Sequence, residues 1–310
     1  IIEGILLDVS LSPSTGFSTQ YGNYGEKTNN GMEIDLGLDL IDTSEFGLST
    51  AINWSTNENE VTDLFGTESI NLSPGASVSS RAVVGYPLGS LYGTGSQTNP
   101  DGSFILNSNG FPQITSSPIV LGDPNPDWRG GISLSMRYKK FRLNAVLEHS
   151  EGGDFSPRTL WVLRRFGTTQ ETANRITLDQ PLVNYRGNTI PAGTTVRGNI
   201  KDFGGGPVLL DENWYRTGIG GGFGDNQAYN FSIADATFTK LRDLSLSYVI
   251  DTPLVTNIGL SDVIVSLTGR DLININKVEG IDPEINTKGV SVAQGVEYFT
   301  NPQTKGFLVS

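Results

Sequence analysis

Few side chains in this sequence could do covalent or metal chemistry, and their spacing limits each of them. Asp211-Glu212 could serve as an acid and base pair, which requires two titratable groups held within reach of a proton. Adjacency in the chain does not aim them at each other, and solvated loop charges are the simpler reading. Asp123-Pro124-Asn125-Pro126-Asp127 and Asp282-Pro283-Glu284 are rich in oxygen and could hold calcium, which takes carboxylate and carbonyl ligands. Neither has the spacing of a regular calcium loop, so turn formation by Asp, Asn and Pro is the default. Gly204-Gly205-Gly206 and residues 218–224 lack the strand, helix and Lys of a phosphate loop, and read as flexible parts of a long outer loop. With no Cys, thiolate zinc sites and thiol nucleophiles are excluded, and with a single His, His149, a His-based metal cluster or catalytic triad is not expected. His149 reads as a structural residue at the rim of a strand. The chain is therefore expected not to be an enzyme: no catalytic residue, no resident metal and no cofactor, with calcium in the outer loops the one open possibility.

Binding chemistry is better represented. Tyr86, Tyr92, Trp161, Arg164, Arg165, Trp214, Tyr215 and Arg216 fall between the regular segments. Aromatic faces beside Arg suit a sugar ring or a peptide, and equally suit docking to a partner protein, where Trp, Tyr and Arg are common anchors. Packing of the loops on themselves is the third reading.

The elements that must carry these loops are strands. Ile34, Leu36, Leu38 and Leu40 alternate with Glu33, Asp35, Gly37 and Asp39, a strict period of two with one apolar and one polar face. Phe46, Leu48, Thr50, Ile52 and Trp54 continue the pattern after a short link, giving an antiparallel hairpin. A second hairpin runs through Ile132, Leu134, Met136 and Tyr138, turns at Lys139-Lys140 and returns through Phe141, Leu143, Ala145 and Leu147. Leu244, Leu246, Tyr248 and Ile250, then Val263, Val265 and Leu267, form two more strands. Residues 5–11 and 306–310 bring the expected number to about eight. No helix pattern of useful length is present. Around residues 238–248 the parity fails, because Lys240 and Arg242 share a face with apolar neighbours; either a β-bulge shifts the phase near 241–244 or the upper strand projects beyond the apolar zone.

Composition fits this picture. Thirty-eight of 310 residues are Gly, 36% are hydrophobic and only 17% are charged, where average proteins have roughly 7% Gly and about 25% charged residues. A net charge of −12 argues against nucleic acid as a partner, since phosphate binding needs a basic surface. No apolar run is long enough for a membrane helix, so the membrane architecture left open is a closed β-barrel. The first residues show no initiator Met and no signal-peptide core, so the chain is either processed or a piece of a longer one.

From the second strand onward, short and long connections alternate, so tight turns collect at one end of the sheet and long loops at the other. That is the layout of an outer-membrane barrel. Phe46, Tyr138, Phe141 and Tyr248 all lie beside short turns on the apolar face, where an interfacial girdle belongs. Phe46 and Trp54 are separated on that face by roughly 26 Å of strand at about 3.3 Å per residue, which a tilt of about 40° turns into a rise of about 20 Å, near the apolar band of about 25 Å. Trp54 is accordingly expected at the opposite interface. A sandwich core would also want these aromatics; the small hydroxylic residues of the other face favour a wet lumen.

Val84-Gly85-Tyr86-Pro87-Leu88-Gly89-Ser90-Leu91-Tyr92-Gly93, Asp101-Gly102, and Leu121-Gly122-Asp123-Pro124-Asn125-Pro126-Asp127-Trp128 carry a resemblance to the SusC/RagA family of TonB-linked outer-membrane transporters. It continues through Tyr138-Lys139-Lys140-Phe141, Gly152-Gly153-Asp154, residues 238–248, Gly269-Arg270-Asp271-Leu272 and Gly280-Ile281-Asp282-Pro283-Glu284, so it runs from about Gly22 onward. It implies an all-β, transmembrane antiparallel barrel of 22 strands with a plug, located as a multi-pass protein in the outer membrane of a Gram-negative bacterium. The implied activity is TonB-dependent import of a glycan or oligopeptide, with a SusD-like surface lipoprotein as partner and outer-membrane lipid around the wall. A dimer of transporter–lipoprotein pairs is a further expectation. No TonB box and no plug domain are found, about eight strands are present, and the chain ends Phe307-Leu308-Val309-Ser310 instead of at a terminal aromatic residue. Residues 1–310 are thus expected to be the C-terminal part of such a barrel. Two other readings stay open: a passive barrel or surface adhesin without energy coupling, and a secreted β-sandwich binding module.

Overall fold

The computed structural model describes residues 2–73, 77–217, 227–257, 259–260, 263–278, 280–287, 289 and 294–310. The chain is all-β in character, and its main body is one eight-stranded antiparallel sheet whose strands neighbour each other in sequence order. These are β1 (Ile2–Glu3), β2 (Glu26–Asp42), β3 (Phe46–Asp63), β4 (Trp128–Tyr138), β5 (Phe141–Glu151), β6 (Phe238–Ile250), β7 (Val263–Asn276) and β8 (Gly306–Val309).

Residues directly opposite in an antiparallel pair share a face, and the register converts each strand's alternation into a continuous surface. Leu36 faces Ile52, Ile52 faces Ile132, and Ile132 faces Leu147; farther along, Leu246 faces Leu267 and Leu267 faces Val309. This apolar face is bare. Leu36 is 47% exposed, Ile132 46% and Leu267 53%, in a position where a soluble sheet would lay a second layer over them. The opposite face is lined by hydroxyls: Ser247 Oγ donates to Ser266 Oγ at 3.0 Å, and Thr268 Oγ1 to Ser245 Oγ at 3.0 Å.

Among the described residues β1 and β8 do not pair with each other, so the sheet is open, and beyond Lys27 the outer edge of β2 has no neighbour. The expected first strand needs correction. Residues 5–11 do not join the sheet; Leu6–Ser10 pairs with Thr19–Asn23 in a separate hairpin. Gly4, at a φ of +83°, turns the chain out of β1. Ile5 and Leu7, whose alternation resembles that of a sheet strand, are buried against Val61, Leu64, Ile70 and Ala82.

Short turns join β2 to β3 and β4 to β5, whereas residues 64–127, 152–237 and 277–305 form the long connections. Their described residues form built structures rather than loose loops. They contain α1 (Arg158–Phe166) and α2 (Glu212–Thr217), which the sequence reading did not anticipate because α1 spans only 9 residues, too few for a clear 3.6-residue period. Gly167, in the left-handed region at φ 69°, ends α1 and donates its N–H to Arg164 O at 3.0 Å, as a C-terminal glycine does. Phe111, Phe203, Val208, Leu210 and Trp214 form one hydrophobic cluster in these connections. Val78, Leu91, Trp161 and Tyr229 form another.

Candidate functional site

The parity failure on β6 is a bulge. Between two shared pairings, β5 takes one step, from Val146 to Leu147, while β6 takes two, from Asp243 to Leu241. Over the same two β6 steps β7 takes three, from Arg270 to Ile273. Arg242 is the extra residue on β6. On β7 the slack falls in Gly269-Arg270-Asp271-Leu272, where Asp271 has a φ of +50°, a left-handed conformation that Asp tolerates better than most side chains. Each strand is longer than the last, so the sheet bends here and its faces are re-phased.

Re-phasing puts Lys240 on the polar face opposite Glu148 and Asn274. Its side chain is wholly buried, with Nζ donating to Asp282 Oδ1 and Oδ2 at 2.9 and 2.7 Å, to Glu284 Oε2 at 2.7 Å and to Gln303 Oε1 at 3.1 Å. Arg242 donates to Glu148 Oε2 and Glu284 Oε1, both at 2.6 Å, and Asn274 Nδ2 donates to Asp282 Oδ2 at 3.1 Å. The Asp282-Pro283-Glu284 run, read from sequence as a turn or calcium candidate, is the acidic half of a joint that ties the last long connection to the wall. Its basic half is the pair that broke the alternation.

Burial alone would raise the Glu284 pKa, but hydrogen bonds and charge from Arg242 and Lys240 outweigh it and bring it from 4.5 to about 2. A carboxylate with a lowered folded pKa contributes stability above its ordinary value, and that contribution is lost as pH falls through the folded one. The unfolding temperature of the detergent-purified protein is therefore expected to fall as the pH drops from 4.5 towards about 2, and Glu284→Gln should flatten the fall. An unchanged acid profile in that variant would refute the assignment.

A second joint explains the other oxygen-rich motif. Asp123 N donates to Asp154 Oδ2 at 3.0 Å, and Asp154 N returns a hydrogen bond to Asp123 O at 2.6 Å. Gly152 is required here: at φ +74°, an added Cβ would lie 2.4 Å from Asp127 Oδ2. Burial raises the pKa of Asp123 and of Asp154, partly offset by hydrogen bonds from Asn125 and from the Asp123 backbone respectively. Among the described residues no group of three or more His, Cys, Asp or Glu side chains is placed to hold a metal. Asp123 Oδ1 is taken by its own Asn125 and Asp282 by Lys240 and Asn274. His149 packs at a tilt of 38° against Trp128, with ring centroids 4.8 Å apart, and bonds Thr239 and Glu151.

The loop residues named from sequence divide into three groups. Trp161 and Trp214 are core: Trp161 donates Nε1–H to Ser232 O at 2.9 Å and stacks on Tyr229, while Trp214 sits among Phe111, Phe203 and Phe231 with ring centroids 5.5 to 5.6 Å away. Tyr86 is exposed and Tyr92 carries the Arg81 guanidinium over its ring at 4.6 Å; these two stand apart from the rest. Arg164, Arg165, Tyr215 and Arg216 converge on one cleft of about 750 Å³ between α1 and α2. Phe166 and Arg197, not singled out from sequence, also line it, as do Asp211 and Glu212. Tyr215 Oη donates to Glu171 Oε1 at 3.1 Å and accepts from Asn199 Nδ2 at 2.7 Å, and burial, reinforced by the Glu171 charge, raises its pKa. Asp211 accepts from Asn184 and Asn213, and Glu212 from Arg216, so the two carboxylates are engaged separately. The glycine run at 218–224 lies outside the described residues.

At the short-turn rim, Phe46 faces Tyr138, Tyr138 faces Phe141, and Phe141 faces Tyr248, giving one row of four aromatics across adjacent strands. Trp54 lies near the middle of β3, opposite Ile34 and Gly130.

No family model matches the sequence. Two curated proteins of Formosa agariphila, TonB-dependent receptor P3 and TonB-dependent receptor P26, are 24% and 25% identical to it over 99% and 97% of this chain. The chain is similar along its length to TonB-dependent receptors. It spans about 30% of the length of each of these two. Among solved structures, the RagAB peptide importer in its closed-closed state has a TM-score of 0.63 and 21% identity over 99% of this chain and 32% of its own. In its open-open state the values are 0.62 and 19%, over 99% and 31%. The sheet and its loops thus have the fold of part of a RagA-type TonB-dependent receptor.

Proposed function

We propose that this chain forms part of the wall and outer loops of a SusC/RagA-like barrel in the outer membrane of a Gram-negative bacterium. The whole protein imports an oligomeric nutrient, driven through TonB and served by a SusD-like surface lipoprotein. The observation that carries this reading is the two-faced sheet, with an uncovered apolar face on one side and hydroxyl-rich residues on the other. Lipid is the solvent that suits such an apolar face, and a closed barrel removes the free edge of β2 by giving it another strand. Further strands and a plug, as the resemblance implies, make the 22-stranded barrel of which residues 1–310 are a C-terminal part. Phe46, Tyr138, Phe141 and Tyr248 then mark the periplasmic interface and Trp54 the outer one. The cargo is a glycan or an oligopeptide, and the likeness to a peptide importer favours the second.

Leu36, in the middle of the apolar stretch of β2, tests the lipid face. Leu36→Arg should cost about 2–4 kcal/mol if the site is at the bilayer midplane and should reduce the folded protein recovered in outer membranes. Ser49→Arg, on the polar face, should be tolerated. Recovery of Leu36→Arg at wild-type level, or of the wild type in the soluble fraction without detergent, would overturn the reading. Uptake that continues after TonB is depleted would remove energy coupling from it.

A further inference from the structure

The chain has 33 acidic and 21 basic residues, yet four arginines, Arg164, Arg165, Arg197 and Arg216, meet at the cleft between α1 and α2, against two carboxylates, Asp211 and Glu212, in its lining. One of the four is accounted for locally and two more in part. Arg197 is structural: it donates to Thr172 O and Gly167 O and holds the end of α1 in place. Arg164 and Arg216 each spend part of a guanidinium, Arg164 Nε on Glu171 Oε2 at 2.8 Å and Arg216 Nη1 on Glu212 Oε1 at 2.6 Å. Arg165 makes no hydrogen bond or ion pair among the described residues. Basic residues near a helix C-terminus complement its dipole, which accounts for their charge but not for unused donors arranged around a shared space.

Beside Arg165, Phe166 is 73% exposed, and Val196 and Arg197 bring a strand to the wall of the cleft. That strand, Thr195–Arg197, pairs with Arg175–Thr177 on one side only among the described residues. A free strand edge recognises extended main chain, an apolar ring takes a side chain, and open guanidinium forks take carboxylates. A cleft of this size suits a ligand of a few residues.

We propose that this cleft binds a short acidic peptide, with Arg165 and the free donors of Arg164 and Arg216 on its carboxylates. The proposal rests on the import reading above and specifies the cargo at one of its outer loops.

The test uses the full-length protein in detergent and three dye-labelled probes: tetraglutamate, tetraglutamine and an oligogalacturonate. Tetraglutamate should bind at least about tenfold more tightly than tetraglutamine, as hydrogen bonds between charged partners allow, and should weaken with added salt. Arg165→Gln should lose about tenfold in tetraglutamate affinity at an unchanged unfolding temperature, with partial recovery in Arg165→Lys. Equal binding of the two peptides, an unaffected Arg165→Gln, or binding of oligogalacturonate without tetraglutamate would each overturn the proposal. TonB-dependent uptake of tetraglutamine that survives Arg165→Gln would leave the import reading standing, so the two failures are separable.

Discussion

Replacing Lys240 by Met should destabilise the protein by about 3–5 kcal/mol, the usual cost of removing one partner from a buried ion pair. The ammonium is wholly buried and donates to two carboxylates and an amide. Met fills much of the same volume, so the loss is electrostatic: Asp282 keeps Asn274 and the Glu284 N–H as donors, and Glu284 keeps Arg242, but two negative charges then share a site built around two positive ones. The effect should be seen as a lowered unfolding temperature in detergent and as new protease cleavage within residues 277–305. Adding Asp282→Leu should restore much of the loss, because apolar replacement of a whole buried pair is often neutral or stabilising. An unchanged unfolding temperature in Lys240→Met would show that the joint contributes nothing to stability.

Trp214→Ala should produce a loss of similar size, about 3–5 kcal/mol, as expected for emptying a large aromatic site in a core. Its consequences should be confined differently. Trp214 is the ring that Phe111, Phe203, Tyr185 and Phe231 all contact, and it belongs to α2, which supplies Tyr215 and Arg216 to the cleft. Among the described residues the cluster has no member in the main sheet. Limited proteolysis should therefore open residues 152–217 while the protein stays in the outer membrane with its strands protected from hydrogen exchange. Loss of the barrel itself would show that loop packing and wall are one cooperative unit. Protection unchanged in residues 152–217 would show that the cluster repacks without its central ring.

The strands were legible because an alternation such as Ile34 to Leu40 has a single interpretation: one face apolar, one not. The aromatic row was legible for the same reason, since the four residues share parity and neighbour short turns. The residues between the long strands were less legible because packing in them is non-local. Nothing within a few positions of Trp161 or Trp214 says that each will be enclosed by residues from separate segments, so a buried indole and a docking indole read alike. α1 was hidden by its length. The Lys240 joint illustrates a middle case. The sequence showed that Lys240 and Arg242 violated the pattern, and that Asp282-Pro283-Glu284 carried charge with no assigned use, but only the fold says that each is the other's explanation.

A uniformly alternating hairpin has a degeneracy: sliding one strand by two residues keeps every side chain on its proper face, so polarity alone does not forbid it. The stepped bulge through Arg242 and Asp271 lifts that degeneracy. A slip of β6 against β5 or β7 would carry the extra residue away from its match and pull Lys240 and Arg242 off Asp282, Glu284 and Glu148. The joint thereby acts as an alignment mark, giving one pairing of these long strands a free-energy advantage over its near copies at the moment the sheet assembles.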